Sequence, residues 1–302
     1  MKSKMRILWG FILFFTGVFS FILGGYFLAI SLGLGCYLAG IEYINLAKAK
    51  GTRPSIRIVK AMIIAFIITA SIPGLGIPAF KDFSPLAHFP ILLTTGICLS
   101  FFRLLFRHEN PPATNSDIAT TILGFIYLGF LPCHLILLRN LCPHNIVIDP
   151  SKPWLDPGVA YLWATMFTIW STDVFAYYAG KIFGKNLLYP QVSPKKTVEG
   201  SIGGLIAAIF FNTLVFYLSD NYIFKCHPFN FQLIQAPFMA IMVSVAAQLG
   251  DLCESLLKRD AGVKNSSEII PGHGGLLDRG DSVLFGGAIA YYWISLLILH
   301  NW

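Results

Sequence analysis

Long apolar runs separated by short polar ones dominate the chain. Nine of them approach the roughly 20 residues that a helix needs to cross a hydrocarbon core: 7–23, 26–46, 60–79, 87–107, 117–138, 158–179, 200–218, 236–257 and 283–300. Glycine and proline punctuate several boundaries, among them Gly24-Gly25, Pro73-Gly74, Pro111-Pro112 and Pro271-Gly272. The pattern predicts an all-α, polytopic membrane protein of about nine transmembrane helices. About five fall in residues 1–157 and about four in residues 158–302, where two long polar loops, 180–199 and 258–282, also occur. No internal repeat, low-complexity tract or separate soluble domain interrupts the pattern. The first run follows a basic start, but no small-x-small cleavage site comes after it and the chain stays apolar through Ala47. It therefore reads as an uncleaved first span.

Composition and charge sharpen this picture. Of the 302 residues, 55% are hydrophobic and only 12% are charged. A soluble domain carries roughly 25% charged residues, so the bilayer is the expected solvent. Basic residues then orient the spans. With the amino terminus in the cytoplasm, 18 of the 22 Lys and Arg fall on cytoplasmic segments, and 4 (Lys81, Arg139, Lys152 and Lys225) fall on the other side. Both long polar loops are then cytoplasmic, where nucleotides are. The net charge of +7 is accounted for by cytoplasmic loops facing anionic lipid, and needs no nucleic-acid partner. The six cysteines include no C-x-x-C pair. Cys133, His134, Cys142 and His144 are bunched together, but near-adjacent ligands rarely converge on one ion, and no metal is expected there. Cys133 and Cys142 would pair only if their loop met an oxidising compartment.

Candidate chemistry lies in the second half. At about 100° per residue, Ser244, Gln248, Asp251, Ser255 and Lys258 fall within about 80° of arc along the eighth run. A carboxylate inside a span costs about 2.5–3.5 kcal/mol on insertion scales and is normally retained because it faces a cavity, an ion or a partner. Neutralisation of Asp251 by Lys258 in a packed seam would leave the other three polar residues without a purpose. Ser171-Thr172-Asp173 repeats the theme in the sixth run, with Tyr177 and Gly180 on the face of Asp173. Two acids at similar depth, on helices running the same way, suggest a shared cation, and oxygen ligands suit Mg²⁺ better than zinc.

The loops add cations. Ser193-Pro194-Lys195-Lys196-Thr197-Val198-Glu199-Gly200 leads into a Gly-rich helix start that can grip phosphate through charge and free N–H groups. It is not a Walker A loop. Residues 255–281 bring together Lys258, Arg259, Lys264 and Arg279, a Pro-Gly-His-Gly-Gly turn, and the acids Asp278 and Asp281. Phosphoryl-type transfer needs cations for the charge on phosphorus, carboxylates for metal and close backbone approach, and this segment offers all three. His273 reads as a loop residue orienting Asp278 or a phosphate ahead of a general base.

This segment resembles the signature of the phosphatidate cytidylyltransferases, the CDP-diacylglycerol synthases. The matching residues are Ser255-Leu256-Leu257-Lys258-Arg259, then Lys264 after four intervening residues, Pro271-Gly272-His273-Gly274-Gly275, and Asp278-Arg279-Gly280-Asp281. The Ser193–Gly200 loop, the Asp173 region and Phe183-Gly184-Lys185 match in the same order, so the likeness is specific over 170–282. Asn265 stands where the family has Asp, and Gly280 where it usually has an apolar residue.

The resemblance implies attack of the phosphate of phosphatidic acid on the α-phosphorus of CTP, with pyrophosphate released, in the bacterial cytoplasmic membrane. It also implies Mg²⁺, with room for a second cation, at Asp173, Asp251, Asp278 and Asp281. Catalytic positions are Asp251, Lys258, Arg259, His273 and Arg279, and nucleotide-binding ones Ser193, Lys195, Lys196, Thr197, Glu199 and Lys264. A homodimer is compatible with this reading. Two rivals are a CTP-dependent kinase of a polyprenol- or phytol-type alcohol, which would need a base, and a transporter of an anionic substrate. An inverted repeat would support the transporter, and none is found.

Overall fold

The apolar runs fold as α-helices, the conformation in which backbone N–H and C=O groups are satisfied within their own segment and can sit in lipid. In this computed structural model the described residues are 2–80, 82–107, 112–142, 152–224, 228, 233–267 and 274–298, with side chains described from Trp9 to Leu296. The helices are α1 (Lys2–Leu23), α2 (Gly25–Ala49), α3 (Ile56–Ser71), α4 (Pro85–Leu105), α5 (Asn115–Phe125), α6 (Leu131–Arg139), α7 (Pro157–Phe183), α8 (Val198–Leu218), α9 (Gln235–Asp260) and α10 (Leu277–Trp293). Helices α5 and α6 form one rod through a π-helical turn, Ile126–Phe130. Pro132 has no N–H to donate, and the ladder slips just before it, where the Leu131 N–H reaches back to Ile126 O.

Six described helices are long and apolar enough to cross a membrane: α2, α3 extended to Leu75, α4, the α5–α6 rod, α8 extended to Ile223, and α9. The other expected spans, 7–23, 158–179 and 283–300, fall on α1, on α7, which has 27 residues and carries Ser171-Thr172-Asp173 and two tyrosines in its second half, and on α10, which continues as a π-helical turn over Ile294–Ile298.

The chain packs as two compact units, Met1–Ile136 with Leu257–Arg279, and Leu137–Leu256 with Gly280–Trp302. In the first unit, Phe66 on α3 is fully buried and meets the rings of Phe89, Phe125 and Phe130 at centroid distances of 5.7, 6.4 and 5.7 Å. Helix α9 ends in a Schellman motif: Val263 N donates to Lys258 O (2.9 Å), Gly262 N donates to Arg259 O (3.0 Å), and Gly262 takes the left-handed conformation at φ 72°. This stop launches the polar loop toward α10.

In the second unit, Asp156 caps α7 by accepting from Gly158 N, with Pro157 at the first helical position. Helix α8 packs against α7 through glycines. A methyl on Gly204 would lie 2.6 Å from Thr172 O, and one on Gly203 would overlap the Ala179 methyl. Only small residues let two backbones approach this closely. Between these helices the loop forms a two-stranded antiparallel hairpin, β1 (Leu187–Tyr189) and β2 (Ser193–Thr197), a local departure from an otherwise all-α chain.

His134 is buried with Nδ1 bonded to Phe130 O at 2.9 Å. Among the described residues Cys133 and Cys142 are in no disulfide, and the Cys133 thiol donates to Phe130 O at 2.8 Å. His144 lies outside the described residues.

Candidate active site

In the second unit, the α7–α8 glycine seam places the Ser-Pro-Lys-Lys strand. Thr197, at the end of β2, caps α8 by accepting from Gly200 N at 3.1 Å. Glu199 accepts from the Lys185 and Asn186 backbone amides and, at 2.7 Å, from the Asn186 side chain. The motif's hydroxyl and carboxylate thus lock the hairpin to the start of α8, leaving Lys195 exposed and Ser193 half-buried on β2. Lys196 turns to α9, where its Nζ lies 2.6 Å from Asp251 Oδ2.

Asp251 sits where α9 and α10 approach closely, because its neighbour Gly250 has no side chain. A methyl there would lie 2.6 Å from Asp281 O. Asp173 on α7 lies near enough to Ser282, Asp251 and Lys196 to interact electrostatically with all three. The Ser282 amide donates to Asp281 Oδ1 at 2.7 Å. Toward the start of α9 the polar stripe goes into the interior: Thr172 donates to Ser244 at 2.9 Å, and Gln248 reaches Ser244 and Ser201 O. Two acids, a lysine and a run of hydroxyls therefore converge from α7, β2, α9 and α10.

The first unit holds the other half of the signature. Lys258 is spent on Asp278, Nζ to Oδ1 at 2.6 Å. Asp278 Oδ2 accepts from Ser266 N, Ser266 Oγ and Gly275 N at 3.1, 3.0 and 2.9 Å. Burial alone would raise the carboxyl's pKa. The Lys258 hydrogen bond and charge, with the Gly275 and Ser266 amides, outweigh it and hold Asp278 down at about 2. Arg259 donates to Val263 O at 2.9 Å, and Lys264, Asn265 and Arg279 are exposed. His273 lies outside the described residues.

One acid of this region was passed over in the sequence. Glu42 on α2 is fully buried, and among the described residues it accepts from Ser266 Oγ (2.9 Å), Ser267 Oγ (2.6 Å), Leu276 N (3.0 Å) and Leu277 N (2.9 Å), which flank one loop. Its signal was available, since a lone carboxylate in an apolar run is exceptional.

A family model for the cytidylyltransferase family matches residues 4–297. The chain belongs to that family. A phosphatidate cytidylyltransferase of Synechocystis is 33% identical over 291 residues, covering 92% of this chain and 91% of that protein. The chloroplastic phosphatidate cytidylyltransferase 5 of Arabidopsis thaliana is 30% identical over 295 residues, covering 90% and 67%. That of Bacillus subtilis is 37% identical over 183 residues, covering 61% and 60%. The cytidylyltransferase match extends well beyond the motif-bearing 170–282 and takes in the amino-terminal helices.

Among the described residues, no three of His, Cys, Asp and Glu converge as a ligand group. The Asp173–Asp251 pair nevertheless fits Mg²⁺, which is commonly held by one or two carboxylates and completed by substrate phosphates and water.

Proposed function

We propose that this chain transfers the cytidylyl group of CTP to phosphatidic acid, forming CDP-diacylglycerol and pyrophosphate. The observation that carries the reading is the Lys196–Asp251 pair beside Asp173, in a chain similar over nine-tenths of its length to phosphatidate cytidylyltransferases. An oxygen of the lipid phosphate attacks the α-phosphorus of CTP. The new P–O bond forms as the bond to the bridging oxygen breaks, and pyrophosphate leaves with the electron pair. A phosphate monoester has its second pKa at about 6, so the nucleophile is ionised near neutrality without a side-chain base. The protein's task is positioning and neutralisation.

Lys195 and Lys196 are assigned to the triphosphate, on a strand fixed by Ser193, Thr197 and Glu199. Lys258, Arg259, Lys264 and Arg279 are assigned to the nucleotide and lipid phosphates, and His273 to orienting a phosphate. Asp173 and Asp251, with Asp278 and Asp281 as further acids, would hold Mg²⁺ and allow a second cation. When bound, the ion neutralises charge on the phosphate oxygens.

The arrangement we favour has nine spans, a cytoplasmic amino terminus and a catalytic region over 158–302, in a bacterial cytoplasmic membrane. The 18-to-4 division of basic residues and six sufficiently long apolar helices support it. The test of function is incubation of purified protein with CTP, Mg²⁺ and phosphatidic acid, giving a liponucleotide and pyrophosphate. Phosphorylation of an added polyprenol would mark a lipid kinase instead, and absence of any turnover would sink the reading.

A further inference from the structure

The fully buried carboxylate of Glu42 spends both oxygens on one loop. It holds Ser266 and Ser267 on the loop's incoming side and the amides of Leu276 and Leu277 on its outgoing side. The loop closes on it at contact: any side chain at Gly275 would collide with the Ser266 hydroxyl and the Glu42 carboxylate. Ser266 carries one hydroxyl proton, and two carboxylate oxygens lie within its reach, Glu42 Oε2 at 2.9 Å and Asp278 Oδ2 at 3.0 Å. Its amide adds a bond to Asp278, so Ser266 is pinned from two sides. Lys264 and Asn265, directly before it, are exposed. Helix packing alone needs no acid at position 42, where an apolar residue would avoid the cost of burying a charge.

We propose that Glu42 is a positioning residue for the reaction, tying Ser266 and Ser267 to Leu276 and Leu277 so that Lys264, two residues before Ser266, is presented to the nucleotide in one conformation. This rests on the cytidylyl-transfer reading. Glu42 touches no reacting atom in it; it acts through the loop. Replacement by Gln keeps the shape but turns two acceptor sites toward the loop's donors into an N–H₂ group, breaking one side of the clamp.

Two readouts test the proposal on the full-length detergent-solubilised protein: hydrogen exchange at the Leu276 and Leu277 amides without ligands, and steady-state kinetics with CTP varied at saturating phosphatidic acid. For Glu42→Gln, exchange is expected to rise at least about tenfold at whichever of the two amides meets the new N–H₂ group, the loss expected for a hydrogen bond to a charged group. KM for CTP should rise by a similar factor while kcat changes less. Glu42→Asp should recover part of both losses, and Ser267→Ala, which removes one bond, should fall between. Ile63→Ala, a core change in the same unit, controls for lost stability and should leave KM for CTP near normal. Unchanged exchange in Glu42→Gln, or an equal rise in KM in Ile63→Ala, would overturn the proposal. If the unaltered protein fails to turn over CTP and phosphatidic acid, the functional reading falls and the exchange data still decide whether Glu42 holds the loop.

Discussion

Lys196 Nζ lies 2.6 Å from Asp251 Oδ2, and neither side chain is sealed from solvent, with 27% and 32% exposed. A pair this open contributes little to stability, so stability does not explain a charged residue on each side. It is also a pair that ligands can compete for. A phosphate can draw the lysine and a cation can draw the acid, with Asp173 close enough to share the charge. The acid is held in place by the close approach of α9 to α10 at Gly250, and the lysine by a strand locked to the cap of α8.

Asp251→Asn is therefore expected to lower kcat by at least about a hundredfold, the scale of losing one electrostatic element of a phosphoryl-type site, while the protein still inserts and melts normally. Incorporation of labelled CTP into lipid at saturating Mg²⁺ measures it. Near-normal turnover in the variant would remove Asp251 from the reacting centre.

Much of this arrangement was legible beforehand, and the exceptions have physical causes. The stripe on α9 follows from helical spacing, because five polar side chains in an apolar helix cannot hide. The pairing of those charges was not legible. Lys258 is the nearest cation to Asp251 on its own helix, yet it bonds Asp278, while the partner of Asp251 comes from a strand more than fifty residues earlier in the chain. Pairing across elements depends on how they pack, which no helical period records. Glu42 stood out as a lone acid in an apolar run, but the partners that explain it lie 224 to 235 residues further on, where no spacing reports them. The hairpin at 187–197 was missed because two strands of three and five residues are too short to carry an alternation.

Asp278 makes stability depend on acid in a defined sense. Its folded-state pKa, about 2, lies below the ordinary value of about 3.9, so its contribution is complete above the ordinary value and is lost as pH falls toward the folded one. The difference in melting temperature between the unaltered protein and Asp278→Asn should stay constant from pH 8 to about 5 and shrink from about pH 4 downward. A difference that grew on acidification would contradict the Lys258–Asp278 assignment.

The α7–α8 seam has no room for a methyl at Gly203, where it would overlap Ala179. Gly203→Ala should destabilise by about 1–3 kcal/mol, the usual cost of overpacking, and lower activity by shifting the cap of α8. Gly17→Ala meets nothing within 4 Å and should be neutral or slightly stabilising. Paired thermal melts decide it, and equal melting of the two variants would argue that the helices can part without cost.

The proposed orientation places the 180–199 loop on the cytoplasmic side. A cysteine introduced at exposed Lys195, in a background without the native thiols, should react with a membrane-impermeant maleimide only in inside-out vesicles. Labelling in right-side-out vesicles would reverse the topology and separate the loop from cytoplasmic CTP.

Asn265 is where the chain departs from its family's acid, and its surroundings argue against simple restoration of the charge. It is exposed and sits beside Ser266, whose hydroxyl already lies between the carboxylates of Glu42 and Asp278. A further anion here would stand one residue from the serine that those two acids share, and would repel the triphosphate that Lys264 next to it is assigned to hold. Asp173 and Asp251, the acids proposed to hold the cation, would suffice for a hard ion that takes its remaining ligands from phosphate and water. Asn265→Asp is therefore expected to give no gain in apparent Mg²⁺ affinity and an unchanged or lower rate. The measurement is a Mg²⁺ titration of both proteins side by side at fixed CTP and phosphatidic acid. A clear fall in the Mg²⁺ needed for half-maximal rate would instead show that charge at position 265 reaches the metal, and the position would join the acids that hold it.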